Sequence, residues 1–272
     1  MFTGGKFDGY YILMVMKQLK TIHEILRNEH VPYNGAYRPF NQYGVKHSAN
    51  HHAQNSEDSI LHYLVHKISP VNRYYIEFGA WDGYNFSNVA HFRENLGWNG
   101  LLFESDISKI VGTRLNNLFH ETITDLNVND IFAKYDVPGL FDILSIDVDG
   151  NDSYILEKLD TDRYHPSLII IEHNQGLPNH VPIRAMKDVS DIDVRGYFGT
   201  NINMLYDIAL AKGYKFVTTV TWNVIFVDSN KFPLLNIPEL DKSELMKIHD
   251  RQFKWDFYRN RMLGYNDLWE TY

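Results

Sequence analysis

The feature that most constrains the fold is an alternation of strand-like and helix-like segments between residues 56 and 229. Short apolar runs such as "YYIEFGA" and "FDILSIDVDG" alternate with amphipathic stretches about five times. Two apolar segments, "KFVTTVTW" and "NVIFVDS", then follow each other closely enough to form a hairpin. Because such alternation produces a mostly parallel sheet covered by helices on both faces, we predict an α/β fold whose sheet has one antiparallel strand.

The helix boundaries follow from capping signals. "SEDSILHYLVHKI" predicts a helix that Ser56 caps, and "NFSNVAHFRENLG" predicts one that ends at Gly97. "TNINMLYDIALAKG" predicts a helix with Gly213 as its stop. The stretch "ISKIVGTRLNNL" is also predicted to be helical, and "HETIT" after it to be a short strand.

The two ends of the chain differ from this alternating region. We predict an N-terminal helical appendage over 1–50, the α/β domain over 51–230 and a C-terminal helical tail over 231–272. The appendage has apolar residues at helical spacing in "YYILMVMKQLKTIHEILRN", which suits a buried face. Such a face packs on the core or on a second copy of the chain, so a homo-oligomer through either appendage is one expectation.

Composition excludes several classes of function. The formal net charge of −8 argues against duplex nucleic acid as the main partner, which requires a basic face. The absence of cysteine excludes disulfides, thiolate metal sites and cysteine nucleophiles. No run of 18 apolar residues or signal-peptide pattern appears, so we expect a soluble, cytoplasmic protein without a membrane span.

Acidic residues stand at the ends of the predicted strands. In an open α/β sheet, ligands bind beyond the carboxyl ends of the strands, where the strand order reverses. The first turn adds glycines, which allow close approach of the backbone and positive φ. The acids are Glu77, Glu104, Asp147 and Glu172, and the glycines are Gly79 and Gly83.

The first two acids indicate a particular kind of cofactor. Glu104, at the second strand end, suits the two hydroxyls of a ribose, because a charged acceptor strengthens such hydrogen bonds. A dinucleotide turn needs G-x-G-x-x-G. Here Glu77 and Asp82 would repel a pyrophosphate, and they suit a ligand with a sulfonium and an amino group. The alternative is a plain strand–turn–helix joint with solvated acids.

At these residues the sequence resembles the class I S-adenosylmethionine-dependent methyltransferases, specifically the FkbM-like branch. The resemblance runs from about Gln54 to Ser229. It begins at "QNSEDSIL", where Ser56 replaces the usual glycine. It continues through "IEFGAWDGYNFSN", "GWNGLLFESD", "FDILSIDVDGND" and "IIIEHN", and ends with "YFGTNINMLYDIALAKGYKFV".

The resemblance implies a role for each matching residue. The methionine part of S-adenosylmethionine would lie against Glu77, Gly79 and Asp82, and the ribose against Glu104. Asp147 would stand between cofactor and acceptor. The adenine would lie beside Asp125 and Leu126, and Gln54 and Asp58 would cover the cofactor.

Two hypotheses describe how the acceptor is activated. In one, His173, beyond the fifth strand, is the general base. In the other, Mg²⁺ lowers the acceptor's pKa, with Asp147, Glu172 and Asn174 as hard oxygen ligands. The related metal-dependent enzymes have a contiguous acid–amide pair, which His173 interrupts here. Asp149 and Asp152 are expected to shape the turn and cap the next helix.

The resemblance therefore implies a Rossmann-like class I methyltransferase sheet of seven strands. It also implies an enzyme that methylates a small-molecule acceptor, such as a sugar hydroxyl in polysaccharide or natural-product biosynthesis. Two alternatives stay open at this point. One is a small-molecule N-methyltransferase, and the other is a nucleoside-binding or scaffold protein that keeps the fold without the chemistry.

Overall fold

The computed structural model describes residues 52–54, 57–177, 179–187, 199–220, 222–243, 245–246 and 269–271. The predicted appendage 1–50 and the cap Ser56 lie outside these residues. The elements, in chain order, are α1 Glu57–Ile68, β1 Tyr74–Phe78, α2 Ala90–Leu96, β2 Asn99–Glu104, α3 Ile107–Ile110, β3 Leu118–His120, α4 Val128–Lys134, β4 Leu140–Ile146, α5 Asp152–Lys158, β5 His165–Glu172, β6 Ile183–Ala185, α6 Ile202–Ala211, β7 Tyr214–Val220, β8 Asn223–Asp228, a 3₁₀ helix Phe232–Leu235 and β9 Trp269–Thr271.

Seven of the strands form one sheet in the order β3-β2-β1-β4-β5-β8-β7. The pairs from β3 to β5 are parallel, whereas β8 runs antiparallel to both of its neighbours. This arrangement confirms the predicted Rossmann-like class I methyltransferase sheet with one antiparallel strand. The order reverses between β1 and β4, so a crevice is expected beyond the carboxyl ends of these two strands.

Helices cover both faces of the sheet, as right-handed crossovers require. The connections from β1 to β3 run one way along the sheet and those from β3 to β7 run the other way, so their helices lie on opposite faces. On one face α1 packs against α2, and on the opposite face α5 packs against α6. The core between these layers is rich in fully buried aromatic residues, among them Phe78, Phe92, Phe103, Phe132 and Phe141.

The prediction for residues 107–124 was partly wrong. The helix is a single turn, Ile107–Ile110, and the strand is Leu118–His120, which shares only His120 with the predicted "HETIT". Apolar side chains of this segment do not pack on the core: Ile107 is 56% exposed, and Val111, just after the helix, is 76% exposed. Gly112, at φ +93°, then takes the chain out of the helical conformation.

The helix α2 also begins later than predicted, at Ala90. Phe86 has a φ of +62°, which a helix does not allow, and the next two residues are bound to a strand side chain that is described below. The helix ends as predicted at Gly97, with φ +66°.

A second small sheet was not predicted. It pairs β6 with β9 in antiparallel register, from Ile183 opposite Thr271 to Ala185 opposite Trp269. Both strands have three residues, which is too short for a periodic signal. The predicted helical tail stays a prediction, because all of 247–268 lies outside the described residues. Among the described helices, none has the length and hydropathy that a membrane span requires.

Candidate active site

The crevice at the reversal point is narrow, because β1 and β4 end against each other. Gly79 has a φ of +70°, and a Cβ on it would lie 1.6 Å from the carbonyl oxygen of Asp147. No side chain fits there, so the glycine is required by the protein's own backbone. At Gly83, φ is +76° and a Cβ would lie 2.5 Å from Leu115 Cδ1. These contacts give both glycines a structural reason, independent of a ligand.

Glu77 lies in β1 and is 3% exposed. Its carboxylate accepts a hydrogen bond from the Ser87 hydroxyl at 2.6 Å and another from the Asn88 backbone N–H at 2.8 Å. Burial raises the pKa of Glu77 to about 7, although these hydrogen bonds act in the opposite direction. Glu77 therefore anchors the start of α2 at the floor of the crevice.

Glu104 holds the two loops that flank the end of β2. Its Oε2 accepts from the Trp81 N–H and its Oε1 from the Asp106 N–H, both at 2.8 Å. Glu104 is 5% exposed. A carboxylate has about four lone-pair sites, so two remain for a ligand. Trp81 itself has φ +50°, a strained conformation for a bulky residue, and is 43% exposed beside this acid.

Two more of the predicted cofactor residues, Asp82 and Asp125, have partners within the protein. Asp82 shapes its own turn by accepting from the backbone N–H groups of Tyr84 and Asn85. Asp125, in the loop before α4, forms an ion pair with Lys187 at 2.6 Å, and Leu126 beside it is 80% exposed.

The segment before α1 is tied down by Asp58, which is fully buried. Its carboxylate accepts from the backbone N–H groups of His52 at 2.8 Å and Ser59 at 2.8 Å. Ala53 in turn pairs with Phe86 in the loop after β1. Gln54 is exposed at this point. Asp58 thus holds the segment that carries Gln54 next to the first turn.

The acids at the ends of β4 and β5 come together. Asp147, Asp152 and Glu172 each place a carboxylate oxygen within 4.8 Å of the other two. Burial, followed by the negative charges of Asp152, Asp149, Glu77 and Glu57, raises the pKa of Asp147 well above its ordinary value.

Asp152 links this cluster to the turn that follows β4. It accepts from the Val148 and Gly150 N–H groups at 2.8 and 2.9 Å, as the turn pattern predicted. Burial nevertheless raises the pKa of Asp152 to about 6. From the sequence, Asp152 was expected only to shape the turn and cap the helix, whereas the structure also places it in the acidic cluster.

His173 and Asn174 follow the cluster on β5. The His173 N–H and its Nδ1 both lie within hydrogen-bond distance of the Trp222 carbonyl, at 2.7 and 2.9 Å. Since a carbonyl only accepts, Nδ1 carries the proton of the neutral ring and Nε2 is the basic nitrogen. Asn174 Oδ1 accepts from the Gly176 N–H at 2.7 Å, so this amide shapes the turn after β5.

Two further residues at this edge were not predicted. Glu57, at the start of α1, is fully buried, and Asn223, at the start of β8, is 4% exposed. The Asn223 side-chain amide donates to Glu57 Oε1 at 3.4 Å. The "ED" of the first motif was the available signal for Glu57, whereas nothing in the hairpin sequence indicated Asn223.

Comparisons with known proteins give structural neighbours alone. No family model matches the chain, and no curated protein matches it. The N-terminal domain of EvdMO1 with SAH bound is 13% identical, with 77% of this chain and 96% of that chain covered and a TM-score of 0.38. The 1,6-didemethyltoxoflavin-N1-methyltransferase of Burkholderia thailandensis, with bound 1,6-didemethyltoxoflavin and S-adenosylhomocysteine, is 9% identical, with 84% and 91% covered and a TM-score of 0.38.

A third neighbour is LepI in complex with SAM, at 12% identity, 81% and 55% coverage and a TM-score of 0.32. Since every one of these scores is below 0.5, the fold assignment rests on the strand order of this chain. The resemblance to the FkbM-like branch stays a prediction.

Proposed function

We propose that this protein is an S-adenosylmethionine-dependent methyltransferase that methylates a hydroxyl group of a sugar or another small polar metabolite. The observation that carries the proposal is the concentration of carboxylates at the point where the strand order reverses. Glu77, Asp147, Asp152 and Glu172 gather there, and Glu104 ends the neighbouring strand. Buried like charges are costly unless a cation joins them. A sulfonium cofactor with an α-ammonium group provides such charges.

The reaction needs little chemistry from the protein. The acceptor oxygen forms a bond to the methyl carbon while the carbon–sulfur bond breaks, and the electron pair stays on sulfur as a neutral thioether. The hydroxyl proton passes to a base. Holding the two reactants in line contributes up to about 7–11 kcal/mol, and a positioned base contributes about 10²–10⁴-fold.

Asp147 is the base that we favour. Its raised pKa brings it nearer to the working pH, where a carboxylate is a better proton acceptor. His173 stays the alternative base, through Nε2. In either case the proton leaves the acceptor at the edge of β4 and β5.

The Mg²⁺ hypothesis is also supported, with Asp152 in place of Asn174 among the proposed ligands. Asp147, Asp152 and Glu172 offer three oxygens close together, which suits the hard ligand chemistry of Mg²⁺. Asn174, which the sequence proposed as the third ligand, is engaged with Gly176. A bound Mg²⁺ would lower the pKa of the acceptor hydroxyl.

The test is an assay for S-adenosylhomocysteine formation with a panel of sugars, amino sugars and aminoalcohols, run with and without EDTA. We expect acceptor-dependent product that EDTA leaves unchanged. If activity is lost on chelation and recovers with Mg²⁺, activation of the acceptor by the metal is favoured over Asp147 as the base. Binding of the cofactor without product from any acceptor class would favour a scaffold role, and preference for acceptors with only an amine would favour N-methylation.

A further inference from the structure

Asn223 contains a buried oxygen atom that has no hydrogen-bond partner. Its Oδ1 is shielded from solvent, and the structure gives it no donor. The residue is 4% exposed. An unsatisfied buried carbonyl costs about 1–3 kcal/mol, so such an atom in a folded protein calls for an explanation. A ligand that donates a hydrogen bond to Oδ1 would provide one.

The orientation of this amide follows from its neighbour. The Nδ2 group donates to Glu57 Oε1 at 3.4 Å, and a carboxylate oxygen is the natural acceptor for an amide N–H. Rotating the amide by half a turn would place two acceptor oxygens against each other. The unsatisfied atom is therefore the oxygen, and the missing partner is a donor.

Two carboxylates lie beside this oxygen. Asn223 is the register partner of Glu172 across the β5–β8 pair, so their side chains project from the same face, with Cβ atoms about 4.5–5.5 Å apart. Glu57 contacts Asn223 from α1. The amide oxygen thus stands among acids at the edge of the proposed acceptor site.

We propose that Glu57, Glu172 and Asn223 form an ammonium-binding subsite that anchors the acceptor. An ammonium group has three N–H donors, which match the three acceptors, whereas a hydroxyl has one donor. Its positive charge also offsets the surrounding carboxylates. The acceptor is accordingly an amino-bearing hydroxyl compound, such as an amino sugar or an aminoalcohol. This inference rests on the proposed function only in naming the bound molecule as the acceptor.

The subsite is tested by NMR on the full-length ¹⁵N-labelled protein, with the Asn223 side-chain amide signals assigned from an Asn223→Ala spectrum. Methylammonium chloride, methanol, MgCl₂ and NaCl are titrated separately. We expect methylammonium to shift the Asn223 signals in a saturable way and the other three to leave them unchanged. Glu57→Gln keeps the shape and removes the charge, and it should weaken methylammonium about tenfold.

Glu239→Gln, the same change at an exposed glutamate that pairs with Lys215, is the matched control and should leave the titration unchanged. Equal shifts with methanol, shifts with MgCl₂ but not methylammonium, or no response at all would overturn the subsite.

Repeating the titration with S-adenosylhomocysteine separates the two proposals. Binding of S-adenosylhomocysteine without a methylammonium response removes the subsite and leaves the methyltransferase proposal. A methylammonium response without binding of S-adenosylhomocysteine keeps the subsite and removes the methyltransferase proposal.

Discussion

The acidic residues on the two halves of the sheet's carboxyl edge have different neighbours. On the side of β1 to β3, each acid has its own donor: Glu104 holds two backbone N–H groups, and Asp125 pairs with Lys187. On the side of β4 and β5, Asp152 also accepts from two backbone N–H groups, but the carboxylates of Asp147, Asp152 and Glu172 lie within 4.8 Å of one another. The acids on the β1–β3 side fix the loops around the proposed ligand, whereas the cluster on the β4–β5 side concentrates negative charge that a cation can offset. Acids that look equivalent in the sequence therefore have different roles, and the role of each depends on the groups that it contacts.

The comparison predicts its largest effect at Asp147. Asp147→Asn removes both the charge and the proposed base, so we expect kcat to fall about 10²–10⁴-fold. The measurement is turnover with the acceptor that the panel identifies. Asp162→Asn is the matched control, because Asp162 is an exposed aspartate in the connection between α5 and β5. Equal losses in both variants would contradict a distinct role for Asp147.

The second effect concerns stability and pH. The folded pKa of Glu77 is about 7 and its ordinary value 4.5, so the folded state holds the proton more tightly. Its contribution is fully present below pH 4.5 and is lost as the pH rises to 7. Glu77→Gln cannot ionise, so its free energy of unfolding relative to the wild type should rise by about 3 kcal/mol across this range.

Denaturant melts of the two proteins at several pH values measure this difference. A constant difference would show that Glu77 ionises normally in the folded protein.

The third effect concerns Glu104, on the half where the acids have donors. Glu104→Gln should weaken S-adenosylmethionine about 10–100-fold, the size expected for lost charged hydrogen bonds. It should also disturb the Trp81 N–H contact, so thermal unfolding has to be followed in parallel. Glu94→Gln, at an exposed position on α2, is the control. Unchanged affinity in a folded Glu104→Gln variant would mean that the ribose lies elsewhere.

The smallest effect is predicted at Lys187, which is partly exposed in its pair with Asp125. Ion pairs near the surface contribute about 0.2–1 kcal/mol, and Lys187→Met should lower the free energy of unfolding by the upper end of this range, because the Asp125 side chain is only 9% exposed. It should tighten the cofactor by up to about fivefold, because Asp125 no longer has to exchange a partner. Calorimetry measures the change. Weaker binding would indicate that Lys187 itself contacts the cofactor.

The sequence predicted those features that depend on local pattern. The alternation of segments gave the sheet, and the acids at strand ends were found because parallel strands end at one edge. What it missed depends on tertiary contact. Glu57 and Asn223 meet across 166 residues of chain, and α3 is short because Ile107 has nothing to cover. The close approach of the Asp147 backbone, which requires a glycine at position 79, is another such contact, and the place of Gly79 beside the cofactor stays a prediction.

The central claim is that the acidic edge binds a sulfonium cofactor. The most direct measurement is isothermal titration calorimetry of the full-length protein with S-adenosylmethionine, with S-adenosylhomocysteine and NAD⁺ titrated for comparison. We predict one S-adenosylmethionine and one S-adenosylhomocysteine bound per chain, and no NAD⁺, whose pyrophosphate the acids would repel. Failure of both S-adenosyl compounds to bind would contradict the account.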